Sequence, residues 1–337
     1  MMVLYTIVIL CILIFVHELG HYGAAKLLRV RVYEFAIGIG PAFFKRQYGE
    51  TKYSLRVLPI GGFCALGEDE EAVDERSFGN KPVWVRTIIL AAGSLMNIAL
   101  AIIIMSAMIF YAGTAVTMVV KSVTAESPAY SAGMLSGDEI VAIDGVKTEK
   151  WTDITRLITE SDSDRINIEI IRGGDRLSLT TGVIIAEDGR RIIGISPKVE
   201  RNPLTALVQG TKASYGLLKY MADILGQLFT GRVPITDMTG LVGIAHIVDV
   251  TAKEGMRPLL YLVALISLNL AIVNLLPFPA LDGGRLLFLF IRRITGKAIT
   301  DSMETWFHMI GMVLLLALMV FITWNDIEKL VTGTFWP

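Results

Sequence analysis

The run His17-Glu18-Leu19-Gly20-His21 places two imidazoles and a carboxylate inside the first apolar stretch of the chain, which carries no other charge before Lys26. Histidines four residues apart share one helical face and reach a single ion from successive turns. A glutamate between them can take a proton from metal-activated water without being a ligand. Holding such a carboxylate in hydrocarbon costs about 2.5–3.5 kcal/mol on insertion scales, so its presence there points to a function. Chance is the competing account, since an H-E-x-x-H string should arise in roughly one sequence of this length in a hundred. Two of the only four histidines fall within it, however. The chemistry expected is hydrolysis by metal-activated water, inside a membrane.

The elements that must position this site follow from composition. The 337 residues are 53% hydrophobic and 19% charged, with a net charge of −1. That excludes an ordinary soluble enzyme and gives no electrostatic ground for a nucleic-acid partner. Four stretches are long and apolar enough to span a lipid bilayer: about Met2–Leu28, Val83–Tyr111, Pro258–Leu276 and Met309–Thr323. Trp306 and Trp324 bracket the last as interfacial anchors. The first lacks a basic leader and a small-residue cleavage site, so a permanent helix is expected. Cys11 and Cys64, the two cysteines, are expected to be inert thiols, one in a span and one in a loop.

Charge orients these spans. Residues 26–86 carry ten lysines and arginines, and the third-to-fourth connection carries Arg285, Arg292, Arg293 and Lys297. Both connections are expected in the cytoplasm, with the termini and residues 112–257 outside; the acidic run Glu68–Glu75 counts little in this rule. His17 and His21 then lie ~22–30 Å along a helix entering from outside, toward the cytoplasmic side. The chain divides into an N-terminal membrane part (1–112), a soluble insert (113–200), an amphipathic segment (201–256) and a C-terminal membrane part (257–337).

A third ligand should come from the same depth. The third span ends Asn269-Leu-Ala-Ile-Val-Asn274-Leu-Leu-Pro277-Phe-Pro279-Ala-Leu-Asp282-Gly283-Gly284. The prolines break the helix and the glycines permit a tight turn, so Asp282 can point back along the bundle. Two histidines and a carboxylate leave the fourth tetrahedral position open, the catalytic form of a zinc site. The plainer role for Asp282 is to cap the next helix or begin the cytoplasmic turn.

The two motifs, more than 250 residues apart, together with one soluble insert, resemble the site-2 protease family of intramembrane zinc metalloproteases. The match is to its bacterial sigma-factor-regulating (RseP-like) branch and covers essentially the whole chain. The resemblance implies a polytopic α-helical protein of the bacterial cytoplasmic membrane, with four transmembrane helices, a re-entrant β-hairpin and one extracytoplasmic PDZ-like α/β domain. It implies Zn2+ held by His17, His21 and Asp282, with Glu18 as general base. Its substrates would be transmembrane segments of single-pass proteins, such as an anti-sigma factor or similar regulator, and signal-peptide remnants. Two departures stand out. The second span reads Gly93-Ser94-Leu95-Met96-Asn97 where the family often has G-P-x-x-N, and there is room for one PDZ domain where some relatives carry two.

Within the insert, Thr117–Val123, Glu139–Ile143 and Arg165–Arg172 alternate as strands do. The segment from Ser127-Pro128 through Gly137-Asp138-Glu139-Ile140 to Asp144-Gly145 resembles a bacterial PDZ core, with Trp151–Ile158 as its groove-lining helix. Such a domain binds extended peptide by strand addition; a plain spacer, or a screen of substrates by size as in the family, is the alternative. After Pro203 an amphipathic helix is expected on the outer membrane face or packed under the insert. His246 reads as a helix-face residue in a second such segment, and His308 as interfacial at the start of the last span.

Asn97, Asn269 and Asn274 are candidates for substrate binding or for donating to a developing oxyanion, with interhelical hydrogen bonding as the alternative. Tyr53–Phe63, part of a hairpin at about 50–66, has strand composition and a Gly61-Gly62 bend. It is expected to re-enter the membrane and offer an edge to unwound substrate. The Gly38-Ile-Gly40-Pro41 turn is expected to leave a water path to the zinc. Two rival functions remain at this point. A zinc or proton transporter predicts polar residues continuing across the outer halves of the spans, which instead look apolar, and a silent membrane scaffold has no use for Glu18.

Overall fold

Helix α1, Met2–Leu27, opens the chain as an almost uninterrupted apolar helix. It stops where Arg29 turns to the left-handed region at φ 55°. The N–H of Val30 returns to Ala25 O at 2.8 Å and that of Arg29 to Lys26 O at 3.2 Å, the two bonds that close a helix C-terminus in this manner. The computed structural model describes residues 2–67, 75–295 and 301–334. Most of the acidic run Glu68–Glu75, and Lys297, therefore lie outside the described residues.

Strands β1 (Glu34–Tyr48) and β2 (Thr51–Ala65) follow. The hairpin is longer than the expected 50–66 and begins at Glu34, because β1 absorbs the Gly38–Pro41 stretch that reads as a turn. Gly38 and Gly40 keep φ of 88° and 92° and kink the strand without ending it. Glu34–Ile37 is paired on two sides at once: Phe35 meets Tyr53 across one side and Cys64 across the other. Residues 52–55 are thus enclosed between 34–37 and 44–47, while 62–65 has a partner on one side. The edge expected within Tyr53–Phe63 is therefore interior over Tyr53–Leu55, and the segment with a strand on one side only is 62–65. Cys64 belongs to this strand and not to a loop.

Helix α2, Val83–Ala112, precedes a β-rich region. Contacts divide the chain into one unit of Met1–Met105 with Gly210–Pro337 and another of Ser106–Gln209. In the second lie β3 (Ala115–Val123), α3 (Pro128–Ser131), β4 (Glu139–Ile143), β5 (Val146–Lys147), α4 (Trp151–Glu160), β6 (Arg165–Arg172), β7 (Asp175–Gly182), β8 (Ile184–Ile185), β9 (Arg191–Ile192) and β10 (Ile195–Glu200). The main sheet runs β10-β3-β4-β6-β7 with β5 beside β4. Alternation in β6 turns Ile166, Ile168 and Ile170 inward, where they meet Ile140, Ile143, Ile154 and Met134 in one apolar core. The strands expected at 139–143 and 165–172 have those bounds, and the helix expected at 151–158 extends to Glu160.

The chain then forms α5 (Pro203–Phe229), α6 (Leu241–Glu254), α7 (Met256–Leu275), α8 (Asp282–Thr295) and α9 (Asp301–Thr332). α5 exposes Leu204, Leu207, Tyr215 and Tyr220. His246 lies on α6, as a helix-face residue. Helices α1, α2, α7 and α9 are each long and apolar enough to cross a membrane, which agrees with the four spans expected; the last reaches well beyond 309–323. α8 falls in what reads as a basic loop. It is a strongly two-faced helix that buries Leu289 and carries Arg292 and Arg293 in its last turn.

Candidate metal centre

Helix α1 presents His17 and His21 one turn apart, with rings 4.8 Å apart and nearly perpendicular. Both are buried. Asp282 is the first residue of α8, one place inside the capping position, which Leu281 fills, and its carboxylate turns to the histidines. Its Oδ2 lies 3.1 Å from His17 Nε2 and 3.2 Å from His21 Nε2, and the two nitrogens are 3.2 Å apart. Donors at tetrahedral positions about 2.0–2.1 Å from a zinc ion stand about 3.3 Å from one another. The three atoms therefore already form one face of such a tetrahedron.

Hydrogen bonding tests whether these residues fit a cation. His21 Nδ1 lies 2.8 Å from Ile89 O, and a carbonyl only accepts, so the ring proton sits on Nδ1. Its Nε2 then directs a lone pair at Asp282 Oδ2 and at His17 Nε2. Asp282 Oδ2 is buried without a hydrogen-bond donor. The electron pairs on His21 Nε2 and Asp282 Oδ2 face one another away from water and repel unless a positive charge lies between them, and a backbone carbonyl behind a ligating imidazole is the usual outer support of such a site. The residues fit zinc.

Helix α2 supplies the space. A Cβ on Gly93 would run into His21 Nε2 and stand 2.7–2.8 Å from His17 Cε1 and Nε2, while one on Gly20 would strike the backbone of Ala92 and Gly93. α1 and α2 thus meet main chain to main chain behind the ligands, and no side chain fits between. Four residues on, Asn97 is fully buried, with its Nδ2 3.5 Å from His17 Nδ1, and Ser267 of α7 donates to Asn97 O at 2.8 Å. Asn274 Nδ2 lies 3.5 Å from His17 Nε2, on the metal side of the ring. Asn269 is exposed and stands apart from this group.

A cavity of about 310 Å³ opens on the centre, lined by His17, Glu18, Asn97, Asn274, Ala280 and Asp282 with Ile14, Leu270 and Leu281. Glu18 accepts the backbone N–H of Cys64, and a Cβ on Gly62 would stand 3.2 Å from Glu18 Cγ. Residues 62–65 of the hairpin therefore run beside the carboxylate. The Ile89 carbonyl gives no distinctive residue type from which reasoning on sequence could find it, whereas Gly93 opens the Gly93–Asn97 run already singled out. His308, expected at the interface, is half-buried, and its Nδ1 accepts the N–H of Ala280 at 2.8 Å.

The model of "Peptidase family M50" matches residues 5–318. A Clostridium perfringens protein is 38% identical over 331 residues, covering 97% of this chain and 98% of its own. The "Regulator of sigma-W protease RasP" of Bacillus subtilis is 31% identical, covering 96% of this chain and 97% of its own. The "Zinc metalloprotease RasP" of Shouchella clausii is 29% identical, covering 96% and 98%. Among solved structures, the PDZ domain of an SdrC-like protein from Listeria monocytogenes matches at 25% identity, covering 25% of this chain and 86% of that one with a TM-score of 0.22.

Proposed function

The chain belongs to peptidase family M50 as a zinc intramembrane metalloprotease, and from that premise we propose that it cuts transmembrane segments of single-pass membrane proteins. The substrates in this reading are an anti-sigma factor or similar regulator, and signal-peptide remnants. The name of the Bacillus subtilis relative, a regulator of sigma-W, supports the first. The observation that carries the reading is the convergence of His17, His21 and Asp282 at 3.1–3.2 Å beside Glu18 and an open cavity.

His17, His21 and Asp282 would hold the zinc, which would supply the Lewis acidity that makes water a nucleophile at neutral pH. Glu18, beside that position, is the base that would take a proton from the attacking water and return it to the departing amine. The N–H of Cys64 holds the Glu18 carboxylate in place between those two transfers. Asn97, buried against Nδ1 of His17, orients that ring, while Asn274, on the cavity side, is the amide placed to donate to charge growing on the scissile carbonyl. Asn269 has no part in this scheme.

Cleavage requires the substrate helix to give up its internal hydrogen bonds. The re-entrant edge at 62–65 replaces them, offering an extended partner strand next to the base. The cytoplasmic side of the membrane holds the site, and the termini and PDZ-like domain lie outside, on the distribution of basic residues. The PDZ-like domain binds an extended peptide or screens ectodomains by size.

Glu18→Gln tests the reading. Zinc content should stay at the wild-type level, while cleavage of a model transmembrane substrate falls by roughly 10²–10⁴-fold, the range for losing a general base. Cleavage at the normal rate would remove Glu18 from the mechanism.

A further inference from the structure

Helix α9 turns an almost wholly apolar surface outward, with Phe307, Met309, Ile310 and Val313 all exposed. One stripe breaks that pattern. Glu304, His308 and Gly311 follow at four- and three-residue spacing and so share one face. Gly311 is buried, and a Cβ there would press on Pro279, reaching 2.7 Å from its carbonyl oxygen. His308 Nδ1 accepts the N–H of Ala280 at 2.8 Å. Since Nδ1 accepts, the ring proton is on Nε2, which faces Glu304 Oε1 at 3.7 Å. Glu304 in turn takes Arg292 of α8 at 2.6 Å.

The residue held by this stripe is unusual. Ala280 has φ 74°, one of four non-glycine residues in the left-handed region among those described. An alanine keeps that conformation only when its surroundings impose it. It lies two residues before Asp282, so the direction in which the carboxylate leaves α8 is set by this turn. Arg292, near the other end of α8, is held by the same stripe through Glu304.

We propose that His308 is a positioning residue of the metal centre: it grips the Ala280 N–H across the Gly311 contact and thereby aims Asp282 at His17 and His21. The inference rests on those three residues being the zinc ligands. It does not require that Glu18 be the base or that the substrate be a transmembrane helix.

The test is zinc retention by the purified full chain during titration with a competing chelator, with cleavage followed separately. His308→Ala should weaken zinc about 10–100-fold, the usual cost of losing an outer support. His308→Asn, whose amide oxygen can accept the same N–H, should stay within about threefold of wild type. Gly311→Ala, with His308 intact, should also weaken zinc, because the added methyl displaces Pro279. Zinc held by His308→Ala as tightly as by wild type would overturn the proposal. So would equal losses in His308→Ala and His308→Asn, since generic damage to packing does not distinguish an acceptor from none. Glu18→Gln run alongside keeps the two readings apart: its cleavage reports on the base, and its zinc content does not depend on that role.

Discussion

Asp138 and Asp282 are both aspartates withdrawn from water, and their surroundings differ in kind. Asp138, in the β-rich unit, accepts from Arg172 Nε at 2.7 Å, from Arg172 Nη2 at 2.8 Å and from the Leu135 N–H at 2.8 Å. Its charge is answered within the fold, beside a core of close-packed isoleucines. Asp282 instead directs Oδ2 at two imidazole nitrogens with no donor to meet it. The first arrangement is complete as folded; the second is completed by zinc. The charge of Asp138 is answered and that of Asp282 is left for a cation, and only the second pattern is a signature of chemistry.

Substitutions at the two aspartates should have opposite signatures. Asp282→Ala should abolish zinc binding and with it cleavage, a loss of about 10³-fold or more, while the melting of the β-rich unit stays unchanged; metal analysis and calorimetry on one sample report both. Gly93→Ala should come next, with zinc affinity down roughly 10–100-fold as α2 is pushed off the imidazoles. Asp138→Ala should leave zinc content intact and destabilise the β-rich unit by about 2 kcal/mol, as the donors it serves are stranded. A fall in zinc content with Asp138→Ala would break the comparison.

The smallest effect concerns pH. Burial pushes the Asp138 carboxyl up, but the Arg172 guanidinium and the Leu135 N–H more than offset this and hold it below the usual aspartate value. A carboxyl depressed in the folded state adds stability that is full above the unfolded value of about 3.9 and is lost as pH falls through the folded value. Acid unfolding of the β-rich unit should therefore steepen below about pH 4 in the wild type and flatten in Asp138→Asn. An unchanged acid limb in that variant would show that Asp138 does not contribute.

Much of this is legible in the sequence where residue type and spacing coincide. The H-E-x-x-H spacing is a statement about one helical face, and Pro277–Pro279 with Gly283-Gly284 announces a break that returns Asp282 toward it. The β6 isoleucines alternate with strand period, so that element has the bounds expected. The first half of the hairpin is hidden because Gly38, Gly40 and Pro41 punctuate it like a turn, and the double pairing of 34–37 is a long-range event with no local signature. α8 is hidden because its basic positions read as loop. His308 escapes notice for a different reason. Its partner is a main-chain N–H 28 positions earlier, and an amide proton leaves no mark in a succession of side chains. Asn269 reads as a candidate on residue type alone, and it is exposed, outside the lining of the cavity at the centre.

The glycine contact between the first two spans also bears on which ions can dwell in the site. With Gly93 against both imidazoles and Gly20 against the neighbouring main chain, no rotamer change can widen the nest. A bulkier cation has to pry two lipid-embedded rods apart. Selection among divalent ions should then follow ionic size ahead of affinity for nitrogen: cobalt should replace zinc readily and cadmium poorly, and competitive loading of metal-stripped protein with the two ions would read this ordering directly.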